Sequence, residues 1–138
     1  MYYGGWTLGG TVPFHFFVGL AQSSNGGETF ERGSEAPVLG RNRHDPFLAG
    51  APWVLRDSGM FRMWYAESTG ASATGCASIS WRRNDEPLLT TVGPAGNSEM
   101  VCYGSLLQHD DLGYLLYNGN AFGHEGFGVA RMRASLVG

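Results

Sequence analysis

The chain predicts an all-β fold of antiparallel, four-stranded, propeller-type blades, about two and a half of them in 138 residues. Three observations lead there. Short apolar runs are separated by Gly, Asn, Asp, Ser and Pro, the punctuation of strands and turns. Apolar positions nowhere keep helical spacing over three turns without a Gly or Pro break. One plan also recurs three times: an aromatic strand, a glycine-rich turn, and a second strand of small and β-branched residues. The copies start roughly 55 residues apart, a period typical of solenoids, propellers and arrays.

The first copy runs Met1-Tyr-Tyr-Gly-Gly-Trp6, then His15-Phe-Phe-Val-Gly-Leu-Ala21. The second runs Met60-Phe-Arg-Met-Trp-Tyr-Ala66, then Gly75-Cys-Ala-Ser-Ile-Ser80. The third runs Gly113-Tyr-Leu-Leu-Tyr-Asn-Gly119, then Gly126-Phe-Gly-Val-Ala-Arg131. Strands are expected at 1–6, 14–22, 45–49, 52–57, 60–67, 75–81, 98–103, 105–109, 113–119 and 126–133. Asp57-Ser-Gly59 and Asp110-Asp-Leu-Gly113 read as hairpin turns in which Gly takes the positive φ. The Gly-rich stretches 7–13, 67–75 and 119–126 read as longer loops, and 82–97, with Pro87 and Pro94, as a crossover between blades. The whole is expected to be one domain, 1–138, with a half blade at 1–22 and blades at 45–81 and 98–133. The half blade is expected to hold the last two strands of its unit.

Composition bounds the function. With 43% hydrophobic and 15% charged residues the chain has material for a core and too little charge for disorder. Twenty-two glycines and eighteen aromatics suit turns and half-buried pleated strands. All nine basic residues are Arg, they are scattered, Arg82-Arg83 is the one adjacent pair, and net charge is -3. No basic stripe for nucleic acid results. No apolar run approaches the roughly 20 residues that span a bilayer, so no membrane partner is expected. Met1 opens directly on strand-like sequence without a signal-peptide pattern, which predicts either a cytoplasmic location or a fragment whose targeting segment is absent. Cys76 and Cys102 lack the spacing of a zinc site and are expected as buried thiols, although sequence leaves a bridge open. His15, His44, His109 and His124 form no ligand pattern, so neither metal nor cofactor is expected. A P-loop, a dinucleotide fingerprint and a nucleophile elbow are all missing from the sequence.

Two and a half blades leave open faces of aromatic strands, Phe61 to Tyr65 among them, which predicts a homodimer or larger homo-oligomer.

Two segments carry a family resemblance. Ser23-Ser-Asn-Gly-Gly-Glu-Thr-Phe30 resembles a degenerate Asp-box, with Asn25 for Asp and Phe30 for Trp. That motif is a structural turn with its aromatic packed beneath. Arg43-His-Asp-Pro-Phe47, followed by a hairpin and Arg62-Met-Trp-Tyr65, resembles five-bladed β-propeller glycosidases of the arabinanase, fructosidase and mannoside-phosphorylase-like groups. Tyr117-Asn-Gly-Asn120 through Gly126-Phe-Gly-Val-Ala130 is similar to blade sequence from the same groups. The likeness covers about half of a full-length member.

The resemblance implies a carbohydrate ligand and two acidic groups at a central pocket. Asp45 would stabilise developing positive charge, and Glu99, in Ser98-Glu-Met-Val-Cys102, would protonate the leaving oxygen. The family's remaining carboxylate, from an earlier blade, has no counterpart here, which puts catalysis in doubt. Arg43, His44, Trp6, Asn118 and Phe122 are the candidate substrate-binding residues. Each has a plain structural alternative. Asp45 can be a turn residue before Pro46, salt-bridged to Arg43, and Glu99 a solvated strand-end carboxylate. Most Trp and Tyr, Trp64 above all, are expected in the core, whereas Trp6 and Phe122 lie by long loops. The function read is carbohydrate binding or processing. The alternative is a non-catalytic β scaffold.

Overall fold

A computed structural model describes residues 1–57, 59–68, 72–78, 88–91 and 97–133. Among these residues there are nine strands: β1 (Tyr2–Leu8), β2 (Phe14–Gln22), β3 (Glu31–Arg32), β4 (Ala49–Asp57), β5 (Met60–Ser68), β6 (Ser72–Ser78), β7 (Cys102–His109), β8 (Leu112–Asn118) and β9 (Phe127–Arg133). They form three antiparallel sheets in the orders β1-β2-β3, β4-β5-β6 and β7-β8-β9. The fold is all-β and resembles a partial set of blades.

The repeat legible in the sequence is a repeat of register. Tyr3 pairs with Gly19, Tyr65 with Gly75 and Tyr117 with Gly128. A methyl at Gly19 would overlap the Tyr3 ring, and one at Gly128 the Tyr117 ring. A large ring covering a cross-strand glycine fills the gap that the missing side chain leaves. This is why each unit needs both an aromatic strand and a glycine-bearing partner.

Strand counting differs from expectation inside the two later units. The stretches 45–49 and 52–57 do not make two strands, because β4 runs continuously from Ala49 to Asp57 through a bulge. Residues 51 and 52 there oppose Tyr65 alone, and Ala51 has φ 49°. The stretches 98–103 and 105–109 likewise join in β7, where 103 and 104 oppose Tyr117 and Tyr103 has φ 54°. Among the described residues, each of these two units therefore shows three strands where four were expected. A bulge inserts one residue and bends the strand without ending it, so Pro52 and Gly104 mimic turn punctuation. The first sheet also differs. β1 and β2 are not its last two strands, because β3 and an antiparallel bridge from Leu39 to Val18 line the free edge of β2.

The hairpin between β7 and β8 takes its positive φ from Asp110 (52°), not from Gly113, which lies inside β8. Asp visits this region more readily than most non-glycine residues. The loop expected at 119–126 includes α1 (Asn120–Gly123), a four-residue turn in which Ala121 and Phe122 have left-handed φ. Ser58, the loop residues 69–71, the end of the strand expected at 75–81 with Trp81, Arg82-Arg83, and most of the crossover at 82–97 lie outside the described residues.

The sheets pack in succession. Val18 of the first meets Ala49, Met63 and Tyr65 of the second in one buried cluster. On the other face of the second sheet, Trp64 meets Leu106 and Leu115 of the third, with Leu55 and Met132 alongside. Trp64 is core, as expected, at 7% exposure. The Trp53 indole donates to the Leu106 carbonyl at 3.0 Å, which pins the second sheet to the third. No helix among the described residues is long and apolar enough to cross a membrane.

Candidate functional site

Corresponding ends of the three sheets frame an open groove of about 570 Å³. The first sheet contributes Trp6, Phe14 and Phe16, and the second Leu48, Gly50 and Ala66. The third unit adds Met100, Tyr103 and Phe122. Glycine shapes the floor, since a methyl at Gly50 would overlap the Phe16 ring. Phe16 is further drawn to the second sheet by a parallel bridge with Leu48.

The rim is aromatic and solvent-facing. Trp6 is 68% and Phe122 64% exposed. Tyr103 and Phe122 stack with centroids 6.4 Å apart and planes 28° apart. Backbone strain sets this pair: Tyr103, Ala121 and Phe122 all hold positive φ. Such conformations persist only where the surroundings over-determine them. Asn118 supplies part of that restraint, donating to the Phe122 carbonyl at 3.1 Å.

Asn120 supplies more. It is 5% exposed and serves as a hub. Its carbonyl oxygen accepts the backbone N–H groups of Glu99 (2.9 Å) and Met100 (3.1 Å). Its amide donates to Ser98 Oγ at 3.2 Å and Glu125 Oε2 at 3.0 Å. The entry to β7 and the loop bearing Phe122 are thus held by one side chain.

Asp45 is fully buried. Its Oδ2 accepts from Asn42 Nδ2 at 2.8 Å and from the Tyr65 hydroxyl at 3.3 Å. Asn42 Oδ1 in turn accepts the backbone N–H of His44 (2.8 Å) and of Asp45 (3.1 Å), an Asx turn before Pro46. Arg43, read as a salt partner for Asp45, instead directs its Nε to His44 Nε2 at 2.7 Å. Glu99 is exposed. Neither carboxylate is among the groove-lining residues, though each is within three positions of one, Leu48 or Met100.

The candidate residues therefore divide. Trp6 and Phe122 meet in the groove. Asn118 supports it from behind with its amide spent internally, and Arg43 and His44 bond one another. Sequence reading missed Tyr103, Phe16 and Asn42, and the buried bonding role of Asn120. Tyr103 was detectable, because it ends the first of the two stretches that join as β7. The Asn roles were not, since each depends on partners that the fold supplies.

The 23–30 turn is closed by hydrogen bonds of its own side chains. Ser23 Oγ accepts from Asn25 N at 3.3 Å and Gly27 N at 2.8 Å, and Asn25 Oδ1 from Thr29 N at 3.0 Å. Phe30 departs from the pattern: it stays 44% exposed where the motif would pack an aromatic beneath the turn.

Cys102 is a free, buried thiol, and burial pushes its pKa up. The Cys76 side chain lies outside the described residues. Among the described residues there is no group of three or more His, Cys, Asp or Glu that could hold a metal ion.

No protein-family model matches the chain. Two Mycobacterium tuberculosis proteins, "Uncharacterized protein MT1551" and "Uncharacterized protein Rv1502", are each 44% identical over 70 residues, which is 51% of this chain and 23% of theirs. The match thus spans about a quarter of the length of these relatives. Among solved structures, a BT0996 complex with RGII aligns over 94% of this protein and 39% of its own length, with TM-score 0.66 and 17% identity. Another, described as "Glycoside hydrolase", aligns over 96% of this protein and 40% of its own length, with TM-score 0.64 and 17% identity. At that identity the likeness establishes the fold alone: the chain has a glycoside-hydrolase-like β fold.

Proposed function

We propose that the chain is a carbohydrate-binding unit of a five-bladed-propeller glycosidase lineage, and that sugar rings lie in the groove between Trp6 and the Tyr103–Phe122 pair. The observation that carries this reading is the groove itself: exposed rings from separate sheets converge on one concavity of about 570 Å³, within the range of small-ligand sites. The flat faces of Trp, Tyr and Phe offer apolar contact to the C–H faces of a sugar ring. The fold likeness to glycoside hydrolases and the polar bonding of the Asp-box-like turn support the lineage.

Binding is better supported than catalysis. A glycosidase needs one carboxyl to protonate the leaving oxygen and a second to act as base or nucleophile. Asp45 is buried and bonded to Asn42 and Tyr65, which suits a structural anchor. Glu99 has the exposure an acid requires, but neither it nor any other carboxylate is among the groove-lining residues. We also propose that the chain self-associates, because apolar side chains such as Leu107 and Val129 stay more than half exposed.

The test is a glycan panel followed by calorimetry on the wild type, Trp6→Ala and Phe122→Ala. Binding that both substitutions weaken about tenfold is the expected result, the size of losing an aromatic contact worth about 1.4 kcal/mol. Absence of any glycan ligand would point to the scaffold alternative. Hydrolysis lost in Glu99→Gln would instead restore the enzyme reading.

A further inference from the structure

The groove has a rim and a floor of different character. Trp6, Phe14, Tyr103 and Phe122 form the rim, and each is close to half exposed or more. Phe16, Leu48, Gly50, Ala66 and Met100 form the floor, all buried or half-buried. None of these five carries a side-chain N–H, O–H or charge, and the Met100 thioether is only a weak acceptor. Their backbone is drawn into the fold as well. Gly50 pairs with Ala66 across β4 and β5, Phe16 bridges to Leu48, and the Met100 N–H is held by Asn120 Oδ1 at 3.1 Å. The floor is built where the three sheets meet, so it involves neither outer face of the first or third sheet.

Such a floor discriminates between the parts of a sugar. A pyranose has apolar C–H groups on its faces and hydroxyl groups around its edge. Aromatic rings at the rim take the faces. Whatever reaches the floor loses its water. A hydroxyl there finds no partner among the floor side chains, and that loss weakens binding. A methyl or larger apolar group in the same place gains by leaving water. The groove, at about 570 Å³, is also larger than one pyranose ring, so a substituent beside the ring has room.

We propose that the groove takes a sugar bearing an apolar substituent, with the substituent seated on the Phe16–Leu48–Ala66–Met100 floor and the ring against Trp6 and the Tyr103–Phe122 pair. This class of ligand rests on the carbohydrate reading above and narrows it. Two kinds of molecule share the chemistry. One is a sugar that carries a methyl itself, as a 6-deoxy sugar does in place of the hydroxymethyl group. The other is a glycoside with an alkyl or aryl aglycone. An ordinary hexose, which brings a hydroxyl to the floor, binds more weakly than either.

The test is calorimetry on the wild type with matched pairs: 6-deoxy-D-glucose against D-glucose, L-fucose against L-galactose, and L-rhamnose against L-mannose. Phenyl and methyl β-glycosides of D-glucose and D-galactose form a second arm, with phenol as the sugar-free control. A 6-deoxy member that binds about tenfold tighter than its hydroxylated twin is the expected result for a sugar-borne methyl. A phenyl glycoside about tenfold tighter than the methyl glycoside, with the deoxy pairs equal, assigns the substituent to the aglycone. Met100→Gln puts an amide on the floor at nearly unchanged length, and either preference should then shrink to about threefold or less. Met100→Leu should keep it, and thermal melts check that both variants fold. A preference that survives Met100→Gln overturns the assignment of the floor and leaves the carbohydrate reading standing. So do pairs and glycosides that all bind within about twofold of one another. Phenol binding as tightly as the phenyl glycosides overturns both. Binding by none of these probes overturns the assignment, and the glycan panel decides the carbohydrate reading separately.

Discussion

The Tyr65 hydroxyl donates to Asp45 Oδ2 at 3.3 Å, and the next unit repeats the contact with the roles changed. There Asn97 Nδ2 donates to the Tyr117 hydroxyl at 3.3 Å. Both tyrosines oppose a bulge and pair with a glycine on the following strand. The contact thus anchors the segment entering the first strand of each unit to its second strand. Asp45 has a structural task whether or not it has a chemical one.

That relationship gives the first prediction. Asp45→Ala removes the buried carboxylate that accepts from the Asn42 amide and the Tyr65 hydroxyl, at a cost of about 1–3 kcal/mol. Asp45→Asn keeps an acceptor oxygen, and Asn97 holds the equivalent position, so its cost should be less than half as large. Urea denaturation of the two variants measures the difference. Equal losses would show that the carboxylate charge, rather than the hydrogen bonds, anchors the segment.

Gly50 tests how tightly the first two sheets meet. A methyl there would collide with the Phe16 ring. Gly50→Ala should destabilise the fold by about 1–3 kcal/mol, the range for overpacking a tight contact. It should also narrow the groove. Gly10→Ala is the control, because nothing lies within 4 Å of a Cβ at that position.

Asn120 joins the Glu99 segment to the Phe122 loop. Asn120→Ala removes an acceptor for two backbone N–H groups and a donor to Glu125. A loss of about 1–3 kcal/mol is expected, with faster amide exchange confined to residues 98–100 and 119–126. Hydrogen-exchange mass spectrometry would show whether the two segments loosen together. Independent loosening would mean that the hub does not couple them.

Cys102 should be slow to react with a disulfide reagent in the native state and fast after unfolding, measured in a Cys76→Ser background. Burial raises its pKa above the ordinary value of 9.0, so the reactive thiolate is scarce at neutral pH. The folded state holds its proton more tightly than the unfolded state does. Its contribution to stability is therefore complete below the unfolded pKa and is lost as pH rises through the folded one. A melting temperature that rises on titration above pH 9 would contradict the assignment.

Local chemistry set the strand content. Tyr3, Tyr65 and Tyr117, each with a glycine in the partner strand, were visible as three copies of one plan, because aromatic strands and Gly-bearing partners are selected together by cross-strand packing. The turn at Ser23–Thr29 was legible for the same reason: its hydrogen bonds are made within the motif. Strand continuity through Ala51 and Tyr103 was not legible. A bulge and a turn call on similar residues, and only the register with β5 and β8 separates them.

The site divides along the same line. Trp6 and Phe122 were recognisable as exposed aromatics beside long loops, but nothing in the sequence said that they share one groove. Their convergence depends on how the three sheets stack, through Val18 on Met63, Trp64 on Leu115 and the Trp53 indole on the Leu106 carbonyl. The fate of Asp45 was settled the same way, since its burial comes from Tyr65, 20 residues along the chain. Residue order alone specified the strands, the turns and the repeated Tyr–Gly pairing, all of which depend on neighbours in the chain or across one hairpin. The stacking of the sheets selected which aromatics face solvent and which carboxylate is enclosed, because burial depends on contacts between sheets that no local pattern encodes.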